Sequence, residues 1–114
     1  LSYIKIKFEY PVLRDAGNRD RLIEKIAILG GAGAEFAGVA KSMGADLYLT
    51  GDLKYHEAQD AAMNGLVIAD GGHFYTERVI IPYLAKRLRD EFKTRGWNVG
   101  VLEDVRAKDI FHCV

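Results

Sequence analysis

Apolar and polar residues alternate over SYIKIKFEY (2–10). Ile4, Ile6, Phe8 and Tyr10 fall on one side, and Tyr3, Lys5, Lys7 and Glu9 on the other. A period of two predicts a strand with one wet face and its even set turned inward. Pro11 ends the run. RDAGNRD (14–20) is rich in turn formers and reads as a loop, and RLIEK (21–25) is too short to assign. KIAILGG (25–31) is a short apolar run stopped by glycines, which predicts a buried strand. In AEFAGVAKSMG (34–44), Phe36, Val39, Ala40 and Met43 recur at spacings of three and four, the mark of an amphipathic helix, with Gly44 as its C-terminal cap.

The pattern then repeats. DLYLT (46–50) predicts a strand. LKYHEAQDAAMNG (53–65) predicts a helix with Asp52 as N-cap and Asn64-Gly65 as its stop. LVIAD (66–70) predicts a second buried strand. TERVIIPYLAKRLRDEF (76–92) predicts the longest helix, with Ile80, Leu84, Leu88 and Phe92 spaced by four and Pro82 kinking its first turns. WNVGVLED (97–104) predicts a last strand, and DIFHCV (109–114) a short terminal one. The sum is one α/β domain over residues 1–114. An opening strand leads into a single β-α-β-α-β-α-β unit, a mainly parallel sheet with helices on both faces.

Composition narrows the function classes. The chain has 114 residues, room for one core. Basic and acidic residues number 16 each, so the net charge is zero and there is no basic footprint for nucleic acid. KRLRDEFKTR (86–95) interleaves its charges and reads as a solvated helix face. Cys113 is the single cysteine, so no disulfide forms within the chain, which points to a reducing, cytoplasmic setting. It is expected as a small apolar residue on the terminal strand. No apolar run reaches the roughly 20 residues of a membrane span. The N-terminus has neither a signal-peptide layout nor a starting Met, as in a piece of something longer.

Ligands of parallel α/β sheets bind at the carboxyl ends of the strands. Three such ends carry chemistry here: GGAG (30–33), TGD (50–52) and DGGH (70–73). In DGGHFYTER (70–78), His73 and Glu77 stand one helical turn apart. An imidazole nitrogen and a carboxylate oxygen aimed at one point suit Zn²⁺, Mn²⁺ or Fe²⁺. Two ligands do not make a site, and Asp70, Asp52 and His56 are the candidates for more. The plainer alternative makes Glu77 a partner of the helix dipole and His73 a turn residue. His56 is a candidate acid/base or outer-shell donor, or simply a surface histidine. LGGAGAEFAG (29–38) follows a strand and opens a helix, as a phosphate-binding turn does. Gly31 and Gly33 fit the first two glycines of a dinucleotide fingerprint, but Phe36 occupies the third, and Asp52 falls where a ribose-binding acid would. Its alternative is a tight turn that needs glycine for close packing.

Taken together, AILGGAGAEF, GADLYLTGDLKYHEAQDA and LVIADGGHFYTER resemble, in order and spacing, the C-terminal half of the NGG-interacting-factor-three-like family, the homologues of type-two GTP cyclohydrolase one. The resemblance is clear from about Lys25 onward and vague over residues 1–24. It implies an α/β protein of two similar halves with a two-metal site in the cleft between them, often in ring-shaped hexamers. The activity it implies is that of a metal-dependent hydrolase, with a small-molecule substrate such as a nucleotide ring. The His and Glu of the family's GHxxxE motif are metal ligands and correspond to His73 and Glu77. His56 and Asp52 are then candidates for substrate contacts or outer-shell support. The family's N-terminal half supplies two adjacent histidines and an aspartate, and no His-His pair occurs in this chain. The expectation is therefore a domain with two of five ligands, whose partners are the missing half and other copies of itself. Set against it are two other readings: an assembly module that binds a partner protein, and a nucleotide-binding domain using Gly31 and Gly33.

Overall fold

The computed structural model describes residues 1–112; Cys113 and Val114, and with them the end of the predicted terminal strand, lie outside the described residues. Four strands form one sheet: β1 (Arg14–Ala16), β2 (Ile26–Ala32), β3 (Leu47–Gly51) and β4 (Val67–Asp70), in the order β1-β4-β3-β2. β2, β3 and β4 run parallel, and β1 closes the β4 edge antiparallel. The helices are α1 (Ser2–Lys7), α2 (Ala37–Ser42, entered through a 3-10 turn at Ala34–Phe36), α3 (Tyr55–Met63), α4 (His73–Arg78) and α5 (Ile80–Thr94). The mainly parallel α/β sheet of the sequence reading is thus present.

The central strands explain themselves. LYLTG and VIAD are buried at every position, as the mainly apolar strands of a sheet covered on both faces should be, with Thr50 and Asp70 the buried polar residues at their ends. On one face Tyr48 and Ile68 pack with Ala40, Leu53, Ala61 and Leu66 from the α2 and α3 side. On the other, Leu47, Leu49, Val67 and Ala69 pack with Ile4, Phe8, Tyr10 and Tyr75. The registers Ala32↔Gly51 and Thr50↔Asp70 level the carboxyl ends of the parallel strands at one edge. There the three loops singled out in the sequence meet.

Several elements differ from the sequence reading. Residues 2–7 are helical rather than extended, with Lys5 N–H bonded to Leu1 C=O at 2.9 Å and Phe8 N–H to Ile4 C=O at 3.0 Å. Ile4 and Phe8 fit a period of four as well as two, so the pattern was ambiguous; the helix buries Ile4 and leaves Ile6 exposed. The 14–20 loop contains β1, which takes the place beside β4. β2 is an edge strand rather than a buried one, with Ile26 and Ile28 exposed at 46% and 57%. The predicted strand 97–104 is irregular, because Arg89 from α5 binds the Val101 carbonyl at 3.0 Å and the Glu103 carboxylate at 2.7 Å. The long helix 76–92 is two helices that break at Val79. Pro82 has no N–H to give the Arg78 carbonyl, and the ladder parts there. Asp52 does not cap α3, whose N-cap is Lys54 with Glu57 accepting from its amide at 2.9 Å. Most apolar residues of α5, including Ile80, Ile81 and Leu84, are exposed; only Ala85 is buried.

Tyr10 is 3% exposed, and its hydroxyl is buried without a hydrogen-bond partner among the described residues. Burial pushes its pKa up to about 12. The folded chain thus holds this proton more tightly than the unfolded chain, whose tyrosine titrates near 10. The contribution is full below pH about 10 and is lost as pH rises through about 12. Tyr10→Phe removes an unpaired buried polar group, so it should raise stability by about 1 kcal/mol and flatten the alkaline loss. Urea denaturation at neutral pH and again at high pH checks both effects.

Candidate metal centre

The end of β4 is held first. Asp70 is 5% exposed. Its carboxylate accepts from the Leu53 amide at 3.2 Å, from the Gly72 amide at 2.9 Å and from the Arg14 guanidinium. Those contacts tie β1, the loop after β3 and the loop after β4 to one side chain. Asp70 is fully engaged in joining loops, and the structure does not bring it to His73 as a further ligand.

The DGGH loop must then turn steeply into α4. Gly72 makes the turn at φ +76° and sits at the N-cap. Gly71 lies against the Tyr10 ring, where a Cβ would come within 2.7 Å of a ring carbon. Gly51 is pressed against the same loop: its Cβ would stand 2.8 Å from the Gly72 carbonyl carbon and 2.9 Å from the His73 amide. The glycines of TGD and DGGH thus let two loops pass at backbone distance, and His73 emerges over the sheet edge.

The glycine loop after β2 completes the cradle. The Gly31 amide donates to Thr76 Oγ1 at 2.9 Å. The Thr76 hydroxyl in turn donates to the Gly72 carbonyl at 2.8 Å, with the His73 carbonyl 3.0 Å away. Thr50 Oγ1 donates to the Gly31 carbonyl at 3.0 Å, and the Tyr48 hydroxyl to the Gly33 carbonyl at 2.7 Å. The Gly31 amide is thereby turned to α4. At φ +72° its absent Cβ leaves room for the Glu77 carboxylate and the His73 ring, which it would meet at 2.5 and 3.3 Å. Gly33 is equally enclosed, its Cβ position lying 2.6 to 2.8 Å from Leu29, Thr50 and Tyr48. Both glycines are placed where side chains press on the strand end.

His73 and Glu77 stand together on this platform. His73 Nε2 lies 3.2 Å from Glu77 Oε1, and the opposite nitrogen, Nδ1, lies 2.6 Å from Asp52 Oδ2. All three side chains are about half exposed, with side-chain exposures of 48% for His73, 56% for Glu77 and 50% for Asp52. The hydrogen bond to Asp52, reinforced by the charges of Glu77 and Asp52, raises the His73 pKa above its ordinary value. Asp52 holds φ +56°, a left-handed conformation that aspartate tolerates better than most residues. An open groove of about 610 Å³ lies in front of the trio, bordered also by Phe74, Lys108 and Phe111. His56 stays on the surface of α3, 3.4 Å from Gln59 and edge-on to Tyr55, so the structure does not bring it to this trio.

The donor chemistry fits a divalent ion on one side of His73. With bonds of about 2.0–2.2 Å, two donors of one ion stand roughly 2.8–3.6 Å apart in tetrahedral or octahedral geometry. The pair Nε2 and Oε1, which stands in hydrogen-bond contact, falls in that window; the pair Nδ1 and Oδ2 is closer than two ligands of one ion would stand and is a hydrogen bond. Since Asp52 and Glu77 face opposite nitrogens, they share no common point. Among the described residues no three His, Cys, Asp or Glu side chains group to hold an ion. Thr50 and Gly51 belong to the TGD end named in the sequence but were given no role of their own, and Thr76 was not singled out. The spacing of Thr76, three residues after His73 on the same helix, was the one available signal.

Gly51→Ala must move backbone, whereas Gly31→Ala can displace the tip of Glu77. Gly51→Ala should therefore cost about 2–3 kcal/mol. Gly31→Ala should cost about 1–2 kcal/mol, mainly from its left-handed backbone. Urea denaturation of the two variants beside the wild type tests the order.

Comparison with known proteins places this chain in a family. The family model described as Duf34/NIF3 (NGG1p interacting factor 3) matches residues 1–108, extending the resemblance through the N-terminal segment. A GTP cyclohydrolase 1 type 2 homolog of Clostridium perfringens is 35% identical over 114 residues, covering 100% of this chain and 42% of the relative. A homolog of that name in Staphylococcus aureus (strain MSSA476) is 38% identical over 111 residues, covering 97% of this chain and 30% of the relative. Among solved structures, a Bacillus cereus protein related to NIF3 superimposes with a TM-score of 0.90 at 34% identity, over 99% of this chain and 31% of that one. A Staphylococcus aureus protein gives 0.92 at 32% identity, over 99% and 36%. The chain thus spans less than half the length of these relatives. With the family model matched over nearly all of its residues, the chain belongs to the Duf34/NIF3 family.

Proposed function

We propose that this chain is a metal-binding domain. It contributes His73 and Glu77 to a divalent-metal site, part of a dinuclear centre in a metal-dependent hydrolase. The observation that carries the reading is the pairing of His73 Nε2 and Glu77 Oε1 at 3.2 Å on a platform of glycines, with the other ring nitrogen occupied by Asp52. Two donors leave most of a coordination sphere open. The further ligands come from outside the segment, which accords with relatives more than twice its length. A bound divalent ion supplies Lewis acidity and lowers the pKa of a bound water. For their part, the chain's residues hold that ion at the mouth of an open groove, where a substrate can reach it. The name shared by the relatives, GTP cyclohydrolase 1 type 2 homolog, makes a nucleotide ring the substrate class to try first.

A second reading, an assembly surface, has its own observation. Ile26, Ile28, Ile80, Ile81 and Leu84 are exposed along the β2 edge and α5, a group of apolar side chains of the kind that marks an interaction surface. The two readings are compatible: the rest of a longer protein, or further copies, can cover this surface and complete the site. The Gly31 and Gly33 nucleotide site is less favoured, since the Gly31 amide is already bonded to Thr76.

Titration calorimetry with Zn²⁺ or Mn²⁺ on the purified protein, beside His73→Ala and Glu77→Ala, tests the metal reading. The expected result is one weak site that disappears in both variants while the fold, followed by circular dichroism, is retained. Binding that is unchanged in either variant would remove that residue as a ligand.

A further inference from the structure

Asp52 is the residue whose placement the sequence reading explains least. It stands where a helix N-cap belongs, yet α3 is capped two residues later by Lys54 and Glu57. It holds a left-handed backbone at φ +56°, a region that non-glycine residues enter uncommonly, aspartate more readily than most. It is half exposed, so burial does not force this conformation on it. The conformation does bring Oδ2 within 2.6 Å of His73 Nδ1. Neither side chain is a near neighbour of the other in sequence; the pairing spans 21 residues and two strand ends.

A neutral imidazole carries its proton on one nitrogen and a lone pair on the other, and the partner of one decides the state of the other. A carboxylate at Nδ1 accepts a hydrogen bond and therefore keeps the proton there. Both ring nitrogens face a carboxylate, but Asp52 at 2.6 Å is the closer acceptor and Glu77 at 3.2 Å the looser one, so in the neutral ring the proton stays on Nδ1 and the lone pair on Nε2, beside Glu77. In addition, the hydrogen bond fixes the ring's rotation. Metal-bound histidines commonly carry such an outer carboxylate or carbonyl on the second nitrogen. The 2.6 Å separation is too short for two ligands of one ion, so Asp52 is not itself part of that ion's coordination sphere.

We infer that Asp52 is a positioning residue for His73: it selects the Nδ1–H tautomer and aims the Nε2 lone pair into the space shared with Glu77. The inference deepens the metal reading and rests on it for its purpose, but the tautomer itself is a property of the metal-free protein. The left-handed turn at Asp52 is kept because it delivers the carboxylate to Nδ1.

The test uses the metal-free protein first. Long-range ¹H–¹⁵N correlation of the His73 ring, at a pH where the ring is neutral, reports which nitrogen holds the proton. Wild type is expected to show Nδ1–H. Asp52→Gly suits the left-handed backbone and removes the carboxylate, so it should keep the thermal midpoint while His73 moves toward Nε2–H, the form free histidine prefers. Asp52→Asn keeps an acceptor oxygen and should retain Nδ1–H. Calorimetry with Zn²⁺ then gives the consequence: Asp52→Gly should weaken binding about 10–100-fold, and Asp52→Asn less, while His73→Ala abolishes it. Nε2–H in the wild type, or a His73 tautomer that does not respond to Asp52→Gly, would overturn the positioning role. The expected tautomers together with Zn²⁺ binding that ignores His73→Ala would overturn the metal reading and leave the positioning role standing. If Asp52→Gly abolished Zn²⁺ binding without moving the tautomer, Asp52 would be a ligand and the inference would fail.

Discussion

The hydrogen bond from the Gly31 amide to the Thr76 hydroxyl is the tie on which the site depends. It joins the end of β2 to the helix that carries His73 and Glu77, across 45 residues of chain. α4 has only six residues, too few to hold its own direction in water. Its position comes from what it rests on: Thr76 against Gly31, Gly72 against Gly51, and Tyr10 under Gly71. At Gly51 and Gly71 the contact requires a glycine, because backbone or ring atoms stand where a methyl group would clash; at Gly31 it is the left-handed backbone that favours glycine. The short helix is thus fixed by its seat, and the histidine and glutamate are fixed with it.

The rest of the domain divides into a part that supports this seat and a part turned away from it. β3 and β4 are buried on both faces and hold the strand ends level. Asp46 plays a comparable role at the opposite edge of the sheet. Its carboxylate binds Arg21 and the amides of Glu24 and Lys25, and those bonds, the Arg21 guanidinium foremost, lower its pKa to about 2. By contrast, β2 and α5 present apolar residues to solvent. The same segment that completes the seat for α4 is therefore also the open edge of the sheet. Whatever covers that edge will lie next to His73 and Glu77, so the proposed ligand pair and the uncovered apolar surface sit side by side.

Much of this was legible beforehand. The short, mainly apolar runs within 46–50 and 66–70 read as strands, and the amphipathic spacing between them reads as helical. Parallel strands then required that GGAG, TGD and DGGH share one edge. Errors arose where local pattern had two solutions or no ladder partner. Ile4 and Phe8 satisfied both the strand and the helix period, and packing chose the helix. Residues 97–104 had strand composition, but Arg89 captured the Val101 carbonyl that a ladder would have used.

By itself the sequence determined the three parallel strands, the helices between them and the His73-Glu77 pair, because periodicity and one-turn spacing are local properties of the chain. It also carried the motifs that mark the family. Only the tertiary structure decided which nitrogen of His73 faces Glu77, that Asp52 abandons its cap to bind the other, and that Asp70 is engaged by Arg14 and two loop amides instead of joining them. Those outcomes depend on the approach of strand ends far apart in the chain. At that range a difference of half an ångström decides which carboxylate is the closer partner of the ring, and no spacing along a sequence encodes it.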